Sequence, residues 1–130
     1  MSVEDYKGNG ESVLIIDDEA SQREITCSML EALGYRAEAV SSGEEAVEYL
    51  QGRKVDILLL DMIMNPGISG RETYERIIKA HPGQKAVIVS GYAETEEVKE
   101  TQRLGAGIYI KKPLTLKKLG PAIKEELTKK

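Results

Sequence analysis

The sequence predicts an α/β fold, a single (βα)5 domain built on a doubly wound, parallel five-stranded sheet. Three observations predict it: short apolar runs recur five times, a helical pattern follows each, and the length suits one core. The strongest runs are nearly continuous in β-branched residues and Leu, which marks strands covered on both faces. At 130 residues and 14.3 kDa the chain makes one domain of ordinary size. Its 41% hydrophobic and 31% charged residues suit a packed core better than a disordered segment.

Residues 1–11 are polar and carry Gly8-Asn9-Gly10, so they read as a flexible lead-in or linker, with the domain proper over 12–130. The first strand is Val13-Leu14-Ile15-Ile16. Ile25, Met29 and Leu33 then fall at i, i+4, i+8 and draw one apolar stripe on a first helix that ends near Gly34. The second strand, Arg36 to Val40, is followed by Ser42-x-x-Glu45, whose capping-box spacing starts the second helix. The third strand is Asp56-Ile57-Leu58-Leu59-Leu60. Ser69-x-x-Glu72 starts the third helix, and His81-Pro82-Gly83 stops it. After the fourth strand, Ala86-Val87-Ile88-Val89, the helical segment Glu94 to Leu104 has Val98 and Leu104 as nearly its only large apolar anchors, and so should be held loosely. The fifth strand is Ile108-Tyr109-Ile110. The fifth helix shows Leu116, Leu119, Ile123 and Leu127 at helical spacing, interrupted by Gly120-Pro121. A proline inside a helix removes a backbone bond and costs about 3 kcal/mol, which predicts a kink or a helix beginning at Pro121.

Composition also excludes function classes. With 18 Lys+Arg against 22 Asp+Glu the formal charge is −4, and the basic residues are scattered apart from short pairs such as Lys111-Lys112, Lys117-Lys118 and Lys129-Lys130, so nucleic acid is not the expected direct ligand. The lone cysteine, Cys27, has no internal disulfide partner, and no apolar run approaches the roughly 20 residues that span a bilayer. The N-terminal stretch lacks the apolar core of a signal peptide. The expected location is cytoplasmic, with no membrane contact by this domain.

In an open parallel sheet, ligands bind at the carboxyl ends of the strands, near the point where strand order reverses. Those ends carry Asp17-Asp18-Glu19, Asp61, Ser90-Gly91 and Lys111-Lys112-Pro113. Taken singly, each is a cap, a turn or a solvated lysine. Taken together on one rim they are complementary, because neighbouring first and third strands bring Asp17 or Asp18 close to Asp61. Two carboxylates about 5 Å apart repel by on the order of 3 kcal/mol at an effective dielectric near 20. A hard divalent cation suits such an oxygen cluster better than one lysine does, which points to Mg²⁺, with Mn²⁺ as the alternative. A metal with open positions beside a carboxylate, a hydroxyl and an ammonium is equipment for phosphoryl transfer.

Val13-Leu14-Ile15-Ile16-Asp17-Asp18-Glu19, Leu58-Leu59-Leu60-Asp61-Met62-Ile63-Met64, Val89-Ser90-Gly91-Tyr92, Leu104-Gly105-Ala106-Gly107 and Lys112-Pro113 resemble, in order and spacing, the receiver domains of two-component response regulators. The likeness runs from Ser12 to Leu127. It implies the flavodoxin-like strand order 2-1-3-4-5. It implies that Asp61 accepts a phosphoryl group from a phosphohistidine on a histidine kinase or phosphotransfer protein. Asp18 would bind Mg²⁺ directly, Asp17 would bind it through water or orient the site, and the main-chain carbonyl of Ile63 would add a ligand. Ser90 would hydrogen-bond the phosphoryl group and Lys112 would pair with it, with a cis bond between Lys112 and Pro113. Ser90 and Tyr109 would form the switch that remodels the face of helix four, strand five and helix five. Ile63 and Tyr92 would tune attack by water on the aspartyl phosphate. Both are bulky, which implies slow self-dephosphorylation.

A second copy is a further expected partner, although Gly120-Pro121 argues against pairing through a straight fifth helix. The turn Asn65-Pro66-Gly67-Ile68-Ser69-Gly70 is one residue longer than the common receiver form. That turn, His81-Pro82-Gly83-Gln84-Lys85 and Gly8-Asn9-Gly10-Glu11 resemble receivers at the C-terminal end of hybrid sensor histidine kinases, with a free-standing single-domain regulator as the alternative parent.

Three other functions fit the residues less well. A Mg²⁺-dependent hydrolase of the haloacid dehalogenase type also uses an aspartyl nucleophile, but it needs an acid/base Asp two positions later, where this chain has Ile63. A nucleotide or flavin binder needs a glycine-rich loop after the first strand, which is absent. An interaction module without chemistry would leave the ionisable groups at one rim unexplained. No stand-alone enzyme activity is expected beyond Mg²⁺-dependent self-phosphorylation and dephosphorylation. His81, at a helix end beside Pro82, is assigned no role.

Overall fold

Each strand of the protein alternates its side chains between two apolar layers, as the period of two in an extended chain requires. The structure is a computed structural model and describes residues 6–64, 66–91 and 93–129. The elements are β1 (Ser12–Ile16), α1 (Ala20–Ala32), β2 (Arg36–Val40), α2 (Gly43–Tyr49), β3 (Ile57–Asp61), α3 (Gly70–Ala80), β4 (Ala86–Ser90), α4 (Glu96–Arg103), β5 (Tyr109–Lys111) and α5 (Leu116–Thr128). Every strand pair is parallel, in the order β2-β1-β3-β4-β5. Leu14, Ile16, Leu58, Leu60 and Ile88 face one way, onto the layer that holds Ala46 of α2, Tyr74 and Ile77 of α3, and Val98 of α4. Val13, Ile15, Ile57, Leu59 and Val87 face the other, onto Leu30 of α1 and Leu119 and Ile123 of α5. The three strands read as continuous apolar runs are buried throughout in β3 and β4 and from Val13 onward in β1, whereas the edge strand β2 alternates exposed and half-buried residues up to the buried Val40.

The helix starts follow local chemistry. Ser42 and Ser69 accept from the backbone N–H of Glu45 and Glu72, as the capping spacing predicts. Thr95 and Thr115 cap α4 and α5 in the same way. Glu45 turns back to the backbone N–H of Ser41 at 2.6 Å rather than to Ser42, and Ser41 together with Ser42 thus closes the box. His81 ends α3, and its ring Nε2 meets the carbonyl of Leu50 at 2.8 Å, a tie to the end of α2 that the sequence does not announce.

Four expectations need correction. The buried stripe of α1 is Thr26, Leu30 and Leu33, while Ile25 is 51% exposed. The two stripes share Leu33, and periodicity fixes spacing but not which of two adjacent faces meets the sheet. In α4, Leu104 is also exposed, leaving Val98 as the large apolar anchor beside the buried Thr101. The helix α5 does not begin at Pro121: it starts at Leu116 and runs through the proline. The segment over residues 6–11 is not a free lead-in, since Tyr6 is buried among Leu119, Ala122 and Ile123.

Candidate functional site

The rim at the carboxyl ends of β1, β3, β4 and β5 collects the polar residues that the sequence singles out. Parallel register sets it: Ile16 pairs with Leu60, Asp61 with Val89 and Ser90 with Lys111, so the residues that follow each strand emerge side by side. Carboxylate oxygens of Asp17, Asp18 and Asp61 all lie within 4.8 Å of one another. Asp17 and Asp61 are buried, and Asp18 is the more open of the three. Ser90 is also buried, at the end of β4. Lys112 reaches across from the β5 loop, with Nζ 3.2 Å from Asp17 Oδ2 and 3.3 Å from Asp61 Oδ2. The peptide bond between Lys112 and Pro113 is cis.

Each carboxylate is oriented by the backbone beside it. Asp17 Oδ1 accepts from the N–H of Glu19 at 2.9 Å, and Asp61 Oδ1 from that of Ile63 at 3.3 Å. Behind Asp61, α3 begins at Gly70, where any Cβ would stand 2.6 Å from the Asp61 carbonyl oxygen, so glycine lets the helix approach the Asp61 backbone. Burial pushes the Asp61 carboxyl up to about 6, with Asp17 pushing the same way, while Lys112 and the Ile63 N–H pull it down. For Lys112, burial works to lower the pKa, but the neighbouring Asp61 and Asp17 outweigh it and the ammonium is held above its ordinary value. Among the described residues the Lys112 ammonium is shared between two of the three carboxylates, so there two negative charges meet one positive charge.

That imbalance tests the metal expectation. Three hard oxygen donors around one point, one of them a buried carboxyl that resists ionisation, fit a small divalent cation such as Mg²⁺ and suit a soft metal poorly. Two further residues, which the motifs do not include, hold the rim. Arg23 of α1 donates to the main-chain carbonyl of Asp17 at 2.9 Å. Glu44 of α2 accepts from the N–H of Ile68 at 3.2 Å and so ties down the longer turn after Asp61. Arg23 is legible in hindsight as the first helix's cation one turn beyond the Asp pair, but Glu44 meets the turn only through tertiary packing.

The remaining assignments fall out as follows. Ile63 projects its side chain at the surface, 47% exposed, so no carboxylic acid stands two positions after Asp61. Tyr109 is half-buried on β5 and packs against the α2–α3–α4 layer. Tyr92 and Asn65 lie outside the described residues. Among the described residues, no helix is long and apolar enough to cross a membrane.

Comparison with known proteins agrees with this geometry. A family model described as response regulator receiver domain matches residues 13–124. Sensor kinase CckA of Brucella abortus is 33% identical over 120 residues, 91% of this chain, and the chain spans only 13% of that kinase's length. Sporulation initiation phosphotransferase F of Bacillus subtilis is 28% identical over 90% of this chain and 94% of its own. The crystal structure of a CheY-like receiver domain from Methanospirillum hungatei superposes with a TM-score of 0.84 at 31% identity, covering 91% of this chain and 94% of that one.

Proposed function

The chain belongs to the response regulator receiver domain family, and from that premise we propose that Asp61 is the residue that takes up the phosphoryl group. Its function is that of a receiver domain in a two-component phosphorelay. The observation that carries the assignment of Asp61 is its place at the end of the central strand β3, buried between the acidic cluster and Lys112 Nζ at 3.3 Å. The donor is a histidine kinase or phosphotransfer protein bearing phosphohistidine, met in the cytoplasm. Likeness to a sensor kinase, of which this chain spans 13%, favours a hybrid kinase as the parent protein.

The chain's own residues divide the work. An oxygen of Asp61 forms the new P–O bond as the P–N bond of the donor breaks, and the electron pair of that bond leaves on the imidazole nitrogen. Asp17, Asp18 and Asp61, with the main-chain carbonyl of Ile63, would hold Mg²⁺, which would supply neutralisation of charge on the phosphoryl oxygens. Lys112 pairs with one of those oxygens and the Ser90 hydroxyl donates to another. Ser90 and Tyr109 then switch the α4–β5–α5 face. The apolar side chain of Ile63 gives water no acceptor to orient it, so loss of the phosphoryl group is slow; Tyr92 is the second residue assigned to that control.

Acetyl phosphate with Mg²⁺ is expected to label the wild type, with mass spectrometry placing the added phosphoryl group on Asp61, and Asp61→Asn is expected to abolish the label. Labelling that survives the substitution would remove Asp61 from this role.

A further inference from the structure

We infer that residues 6–11 are a docked segment seated on α5 and on the turn between α1 and β2, and that the state of Asp61 reaches this segment through Lys112, Lys118 and α5. The coupling rests on the reading of Asp61 given above; the seat does not.

The seat is built for its occupant. Tyr6 is 4% exposed and packs on α5, where a methyl group at Gly120 would overlap its ring. A methyl at Gly8 would likewise overlap the ring of Tyr35. The N–H groups of Gly8 and Gly10 donate to the carbonyls of Leu33 and Gly34 at 2.7 and 2.8 Å. Lys124 Nζ donates to the carbonyl of Lys7 at 3.0 Å, and Arg36 Nε to that of Gly10 at 2.9 Å. Gly8, which reads as linker, thus leaves room for Tyr35, and Gly120, which reads as a helix interruption, leaves room for Tyr6.

The same helix is tied to the acidic rim. Lys112 Nζ is shared between Asp17 and Asp61. The carbonyls on either side of Lys112, those of Lys111 and Pro113, both accept from Lys118 Nζ at 3.3 Å. Lys118 lies in the first turn of α5, two residues before Gly120. Pro121 has no N–H to offer the carbonyl of Lys117, so this turn is less firmly bonded to the rest of the helix than an ordinary turn would be. A tetrahedral group on Asp61 presents new anionic oxygens to Lys112, and a shift of its loop is passed by Lys118 to that turn. Because the fit of Tyr6 against Gly120 has no spare room, movement of the turn in either direction loosens the seat.

The test uses the whole chain with Mg²⁺ and beryllium fluoride, which forms a tetrahedral adduct on a carboxylate, and reads amide hydrogen exchange by NMR. Exchange at Gly8 and Gly10 should become at least about fivefold faster on addition, the low end of measured couplings between sites. In Lys118→Ala the resonances around Asp61 should still shift, but the acceleration at Gly8 and Gly10 should fall below about twofold. By reciprocity, Tyr6→Ala should tighten beryllium fluoride binding by the same factor as the wild-type acceleration. Shifts around Asp61 with unchanged exchange at Gly8 and Gly10 in the wild type would overturn the coupling and leave the phosphoacceptor reading standing. No shift anywhere would overturn both.

Discussion

Asp61 is ionised at a cost that its surroundings only partly offset. A carboxyl whose folded pKa lies above its unfolded one binds its proton more tightly in the native state, so the fold loses stability as pH rises from 3.8 to about 6. The displacement corresponds to about 3 kcal/mol lost above that window in the absence of metal. Asp61→Asn removes the charge, although Lys112 then loses one of its two partners. The variant is therefore expected to be more stable than the wild type by about 2 kcal/mol at pH 8 in EDTA, with the gap closing by about pH 4. Urea unfolding at the two pH values checks this. An equal gap at both would assign the effect to a group other than the Asp61 carboxyl.

Few buried side chains hold α4. It is eight residues long, and its buried contacts are Val98 and the polar Thr101, whose hydroxyl donates back to the carbonyl of Glu97 at 2.7 Å. Its start depends on the Thr95 side chain, which accepts from the N–H of Val98. Loss of such a cap costs about 1 kcal/mol. Thr95→Ala is expected to make the α4 amides exchange about fivefold faster without a matching change in β3. Equal acceleration in β3 would mean that α4 opens only with the whole domain. A helix this weakly packed is suited to a face that changes shape, because few apolar contacts must be broken to move it. By contrast α5 has Leu119, Ala122 and Ile123 buried, and its proline is carried within that packing.

For the domain as a body, the rim's charge couples function to stability. Pairs of carboxylates within 4.8 Å repel by on the order of 3 kcal/mol at an effective dielectric near 20, and one lysine offsets only part of that. A cation bound only by the folded state adds about 1.4 kcal/mol at roughly ten times its dissociation constant, or about 4 °C in melting temperature for a domain of this size. Mg²⁺ is expected to raise the melting temperature by that order in a thermal scan at neutral pH. Asp18→Ala should abolish the response while leaving the fold intact, because Asp18 is the most open member of the cluster. An unchanged response in the variant would place the ion elsewhere.

Much of this protein is legible in one dimension because its determinants are local or additive along the chain. Continuous apolar runs gave β3 and β4 to within a residue, since a strand buried on both faces leaves no polar alternation to confuse it. Ser42 and Ser69 announced α2 and α3 because a cap bonds within three residues. Asp17, Asp18, Asp61, Ser90 and Lys112 were readable because each ends or follows a strand, and parallel register brings strand ends together. What stayed hidden depends on which surfaces meet in space. The face of α1 was one position off, since two adjacent stripes satisfy the same period. Glu44 holds the turn after Asp61 from a different helix. Tyr6 fills the gap left by Gly120, 114 positions away in sequence. Spacing along a chain specifies periodic and capping contacts, but a close fit between distant segments has no period and exists only once the layers have packed.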